Sequence, residues 1–104
     1  PGKLRLPIYY CCDWDFDGLS IYSRIKDKIK SKGHELNLLI PHSYEISLPV
    51  DSPHHNSRWN FNNRLSGLKH EDFSDEAINL IKRLIQDNKW IEEESLDLIS
   101  MLAS

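Results

Sequence analysis

Residues Leu6-Pro7-Ile8-Tyr9-Tyr10-Cys11-Cys12 form a nearly unbroken apolar and aromatic run, with proline only near its start. A run too short for a helix and without alternation has the pattern of a strand covered on both faces, and a central parallel strand is expected here. Beyond Gly18, residues Leu19, Ile21, Tyr22, Ile25 and Ile29 recur at helical spacings, while Arg24, Lys26, Asp27, Lys28, Lys30 and Lys32 take most of the other face. That is an amphipathic helix. Gly33 stands where a left-handed C-terminal residue is wanted, and Leu36-Asn37-Leu38-Leu39-Ile40-Pro41 supplies a second short buried strand. Strand, helix and strand at this spacing make a right-handed parallel crossover that needs helices on the sheet faces. The expected fold class is α/β, a small parallel sheet flanked by helices in a Rossmann-like arrangement.

Residues 42–70 carry weaker patterning. Tyr44-Glu45-Ile46-Ser47-Leu48 alternates like a half-exposed strand, yet Pro41, Pro49, Pro53, Asn56, Asn60, Asn62 and Asn63 mark the region as mostly irregular. Ser74 suits the cap of a helix with Ala77, Ile78, Ile81, Leu84 and Ile85 as its apolar stripe. Trp90 to Leu102, after Asp87-Asn88, is expected to form a final helix.

Length and composition bound the rest. At ~100–200 residues per domain, the 104 residues make one domain, 1–104. Thirteen Lys and Arg against 16 Asp and Glu leave a net charge of −3, so there is no overall positive field to hold nucleic acid or an anionic membrane, and any such contact must be local. With 39% hydrophobic and 28% charged residues the composition is that of an ordinary globular protein. No apolar run approaches the ~18 residues that cross a bilayer, and no signal peptide opens the chain, which together point to the cytoplasm and to no membrane contact. Cys11 and Cys12 are adjacent, too close for ordinary disulfide geometry, and are expected to be reduced and buried. The chain opens Pro1-Gly2-Lys3 without an initiator Met, so it is expected to belong to a longer protein, its core completed by further segments or by a second copy in a homodimer.

The informative segment is Asp13-Trp14-Asp15-Phe16-Asp17-Gly18, where the first strand ends and its helix begins. Ligands of open parallel sheets bind beyond the carboxyl ends of strands, and carboxylates clustered there repel one another unless a cation intervenes. Hard oxygen donors suit Mg²⁺ or Mn²⁺, with Asp13 and Asp15 as ligands and Asp17 as a third. The plainer alternative is that Asp17 caps the helix while Asp13 and Asp15 are solvated. The spacing also matches the first half of an EF-hand calcium loop, but the twelfth position, where a bidentate Glu is required, is Arg24, and a strand rather than a helix precedes the turn.

Two families share features of this turn. Asp15-Phe16-Asp17-Gly18-Leu19 resembles the first motif of haloacid dehalogenase-like phosphatases, whose leading Asp is the nucleophile, although the Thr usual after the Gly is Leu19. More of the chain resembles the Toprim domain of topoisomerases, primases and related nucleases: a buried strand, Asp13-x-Asp15-x-x-Gly18, and Leu19-Ser20-Ile21-Tyr22 opening a helix. Within that superfamily it is most similar to the branch holding the type IIB topoisomerase A subunit and the nuclease subunit of Wadjet-type plasmid-defence systems. Lys89-Trp90-Ile91-Glu92-Glu93-Glu94 resembles a late apolar-Glu-Gln-Glu segment of that nuclease subunit, with Glu93 at the Gln position. The resemblance implies a Toprim fold incomplete at its N-terminus, because the family's Glu lies on an earlier strand that has no counterpart here. It also implies metal-dependent processing of DNA phosphodiester bonds, with Asp13 and Asp15 as catalytic metal-binding residues. A non-catalytic interaction module that retains an acidic turn is the rival from another class.

Other residues invite chemistry with less support. His54-His55 lacks the closed ligand set of a zinc site and reads as polar loop. His42-Ser43 follows the second strand and is expected at the same sheet edge as the acidic turn. Arg58-Trp59-Asn60-Phe61-Asn62-Asn63-Arg64 interleaves basic, aromatic and amide groups; a loop anchored to the core by Trp59 and Phe61 is preferred over a nucleic-acid contact.

Overall fold

Strand β1 (Ile8–Tyr10) and strand β2 (Leu36–Leu38) pair in parallel across helix α1 (Phe16–Ser31), Ile8 opposite Leu36 and Tyr10 opposite Leu38. The computed structural model describes residues 8–96. The α/β class and the parallel crossover follow the hydrophobic pattern. β1, however, is not a strand covered on both faces: among the described residues its one strand partner is β2, and Ile8 and Tyr9 are 37% and 53% exposed. An apolar run signals strand, but the number of neighbours it acquires is a tertiary matter. Residues 6–7 of the expected strand lie outside the described residues.

Helix α1 ends as its sequence dictates. Gly33 takes φ +82, its N–H donates to the Lys30 carbonyl and that of His34 to the Ile29 carbonyl, so the last orphan carbonyls are satisfied. Strand β3 (Leu48–Pro49) then pairs with a later strand, and the rest of residues 42–70 is irregular apart from the 3-10 turn Arg64–Gly67. A second such turn, His70–Asp72, leads into helix α2 (Asp75–Asp87), where the Ser74 hydroxyl accepts the Ala77 N–H at 3.2 Å. Ala77, Ile78, Ile81 and Leu84 are buried, as the stripe requires.

The expected helix from Trp90 to Leu102 is not formed in its described part. Asn88 adopts φ 53 in the left-handed region, closes α2 and turns the chain into strand β4 (Lys89–Trp90), antiparallel to β3 with Leu48 opposite Trp90. Ile91 bridges Trp14, and Glu93–Ser95 is a single 3-10 turn. Trp90 and Ile91 find strand partners from distant segments, which outweighs local helical spacing. Residues 97–102 of that expected helix lie outside the described residues.

The core joins the two ends of the sequence. Trp14, Leu19 and Tyr22 pack in one cluster with Ile81, Leu84 and Ile91, all essentially inaccessible to water. At ~1.5–3 kcal/mol per fully buried large side chain, this cluster is what holds the acidic turn against the late segment. No helix among the described residues is long and apolar enough to cross a membrane.

Candidate metal centre at the acidic turn

Trp14 is the pivot of the turn. Its N–H donates to the Ile91 carbonyl at 2.7 Å and its carbonyl accepts from Ile91 N–H at 3.3 Å, an antiparallel exchange that keeps the backbone extended. Side chains of extended chain alternate, so Trp14 enters the core while Asp13 and Asp15 line an open pocket of about 370 Å³ with Asp17, His55, Ser57 and Glu93.

Asp15 is the most constrained of the acids. Its Oδ1 accepts the Gly18 N–H at 2.7 Å, capping α1, and its Oδ2 lies 2.8 Å from His55 Nε2. The pair is buried, Asp15 at 6% and His55 at 7% exposure. The His55 ring stacks on Trp90, 3.8 Å between centroids and 7° from parallel, and its Nδ1 lies 3.3 Å from the Val50 carbonyl. The helix-capping role considered for Asp17 therefore belongs to Asp15. Asp17 is exposed in the first turn, where a negative charge suits the helix N-terminus, and its N–H donates to Ser57 Oγ at 3.1 Å.

Asp13 connects the turn to the far end of the chain. Its Oδ1 accepts the N–H of Glu93 at 2.7 Å, across 80 residues of sequence. Gly18 has a packing reason to be glycine: a Cβ there would lie 2.2 Å from the Asp13 carbonyl oxygen and 3.1 Å from Asp15 Oδ1. The spacing Asp-x-Asp-x-x-Gly is thus one interlocked unit.

The pocket's field is negative. Burial and, after it, the charges of Glu93 and Asp13 push the Cys11 thiol up; burial, then Cys11, Asp15, Asp13 and Glu93, pushes the Cys12 thiol far up. Burial, with Cys12, Glu93 and Cys11, also raises the Tyr10 phenol. Both cysteines are free, and thiols held protonated in this way are poor nucleophiles. The chemistry on offer belongs to the carboxylates.

As oxygen donors these residues fit a hydrated divalent cation. Asp13 has one oxygen without a protein hydrogen bond, Asp17 faces solvent, and each oxygen of Asp15 takes one donor and keeps a second lone pair. Mg²⁺ retains several waters and needs only one or two carboxylates, which an open pocket accommodates. Among the described residues, no three His, Cys, Asp or Glu side chains already converge as a closed metal cage.

His42 and Ser43 do not join the site. They are exposed, with Ser43 Oγ accepting the Glu45 N–H at 3.2 Å, and they do not line the pocket. Their expected place is taken by His55 and Ser57, delivered by a loop 40 residues from the turn. No spacing rule marks a pairing of that kind, whereas Glu93 sits in the late segment singled out from sequence. His54 is exposed, so only one of the adjacent histidines is structural. Trp59 is buried and its Nε1–H donates to the Lys89 carbonyl at 2.7 Å, as an anchor should, but Phe61 is 64% exposed and anchors nothing.

No family model matches this chain, and neither a curated protein nor a solved structure is significantly similar to it.

Proposed function

We propose that this chain is a Toprim-like domain whose acidic turn binds Mg²⁺ or Mn²⁺ in the service of phosphodiester chemistry on DNA. The observation that best supports this is the Glu93 N–H to Asp13 Oδ1 bond, because it unites the two segments on which the resemblance rests, Asp13-x-Asp15-x-x-Gly18 and Trp90-Ile91-Glu92-Glu93-Glu94. Asp13 and Asp17 would hold the cation from the open side, and Asp15, oriented by Gly18 and His55, from below. A divalent cation there supplies charge stabilisation for a scissile phosphate and its leaving oxygen. The phosphatase alternative is disfavoured: a nucleophilic carboxylate needs a free oxygen facing substrate, and both oxygens of Asp15 are engaged at 6% exposure.

Manganese titration tests the metal reading. Millimolar Mn²⁺ should raise the melting temperature and broaden the amide signals of residues 12–18, and Asp13→Asn should weaken the response about tenfold. Unchanged melting and unchanged spectra would leave the acidic turn as a structural element only. In a longer protein that supplies the upstream glutamate, Mg²⁺-dependent nicking of supercoiled plasmid should disappear in the Asp13→Ala, Asp15→Ala double variant; equal cleavage by both proteins would overturn the catalytic assignment.

A further inference from the structure

The polarity of this acidic chain is unevenly distributed. From Ser52 to His70 there is no Asp or Glu, while the same stretch holds Arg58, Arg64 and Lys69 and three of the five histidines. Lys69 is neutralised by Asp27 at 3.1 Å, but Arg64 makes no ion pair among the described residues. Arg58 braces the loop through Nη1, which donates to the His55 and Ser57 carbonyls, and its side chain is still 48% exposed. Its contact to Asp51, 3.7 Å with that carboxylate 79% exposed, is a solvated surface pair worth little.

Between the two arginines, Phe61 presents its ring to water. It is the most exposed large hydrophobic side chain among the described residues, at 64%, and the loop beneath it is braced rather than loose. The Asn60 N–H donates to Ser66 Oγ at 2.6 Å, the Asn62 N–H to Asn60 Oδ1 at 3.0 Å and the Ser66 N–H to the Asn63 carbonyl at 3.1 Å. Leu65 and Ser66 take φ 51 and 56, left-handed values that cost energy in non-glycine residues and are held by this network. The same loop begins at the acidic pocket through His55 and Ser57. Ser57 and Phe61 are four residues apart, at most ~14 Å of backbone.

We infer that the Arg58–Arg64 loop is a contact for single-stranded DNA, with Phe61 as a stacking platform for one unpaired base and Arg58 and Arg64 against the flanking phosphates. A projecting ring reaches the face of a base only where that base is not already stacked in a duplex, and base stacking on an aromatic is tolerant of sequence. Charge complementarity supplies the second component, confined to a stretch free of acids in a chain whose net charge of −3 would otherwise repel a polyanion. The inference deepens the proposed DNA chemistry by naming how strand is led toward the pocket, and it rests on that reading for its purpose although not for its test.

The test is fluorescence anisotropy with a labelled twenty-residue oligo-dT in EDTA at low salt, so that neither metal binding nor cleavage contributes. Phe61→Ala should weaken binding about tenfold with the melting temperature unchanged, and Phe61→Trp should restore it. The Arg58→Ala, Arg64→Ala double variant should reduce the slope of log affinity against log salt by roughly 1. Asp13→Asn should leave oligo-dT binding intact, so failure of the metal site and failure of the loop are read separately. Absence of binding by the unaltered chain, indifference to Phe61→Ala, or equal affinity for a duplex of the same length would each overturn the inference.

Discussion

The two α-helices begin with the same device built to different specifications. In α2 the Ser74 hydroxyl, on an exposed residue, accepts the N–H of Ala77 three positions on. In α1 the Asp15 carboxylate accepts the N–H of Gly18, also three positions on, but it is buried, paired with buried His55 and surrounded by Asp13, Asp17 and Glu93. A helix N-terminus needs only one acceptor, and a hydroxyl provides it without the cost of desolvating a charge. The surplus at α1 therefore marks the position as organised for something besides helix initiation.

Removing each cap separates the two cases. Asp15→Ala should cost about 3–5 kcal/mol in urea denaturation, because it deletes the cap and also leaves His55 buried against an absent partner. A loss near ~1 kcal/mol would mean that Asp15 is an ordinary cap. From sequence alone, Asp15→Asn is expected to be neutral or stabilising through relief of charge repulsion; the His55 contact reverses that expectation, while Asp13, with one oxygen outside any protein hydrogen bond, remains the position where it applies.

The third helical position sharpens the contrast. Alanine is already present at 77 in α2, whereas Gly18→Ala in α1 would drive a methyl into the Asp13 carbonyl oxygen. It should cost about 3 kcal/mol, the upper end for overpacking, and should shift the amide resonances of both Asp13 and Glu93. A near-neutral result would show that the turn yields locally and is not interlocked. The smallest effect is expected at Ser74→Ala, about 1 kcal/mol in the same denaturation experiment, with no change in any signal from residues 12–18.

Much of this architecture could be read along the chain. The stripe Ala77, Ile78, Ile81, Leu84 and the hydroxyl of Ser74 define α2 by local rules, and Gly33 marks the end of α1 because a positive φ there favours glycine. The acidic turn was legible too, since three aspartates interrupting an apolar run carry no packing benefit. The late segment was misread as helix, and His42-Ser43 was assigned the place that His55 and Ser57 occupy, for one reason: partners 40 and 80 residues apart leave no periodicity for a local pattern to detect.

Period, capping chemistry and carboxylate spacing are properties of neighbouring residues, so the order strand–helix–strand, the α2 stripe and the candidate ligands Asp13, Asp15 and Asp17 were available before any coordinates. Which aspartate caps α1, which histidine is buried, and that Phe61 faces solvent while Trp59 does not were decided by long-range contacts alone. Those outcomes depend on the Trp14–Ile91 exchange and the stacking of His55 on Trp90, where backbone hydrogen bonds and burial from distant segments compete with, and exceed, preferences of a few tenths of a kcal/mol per residue.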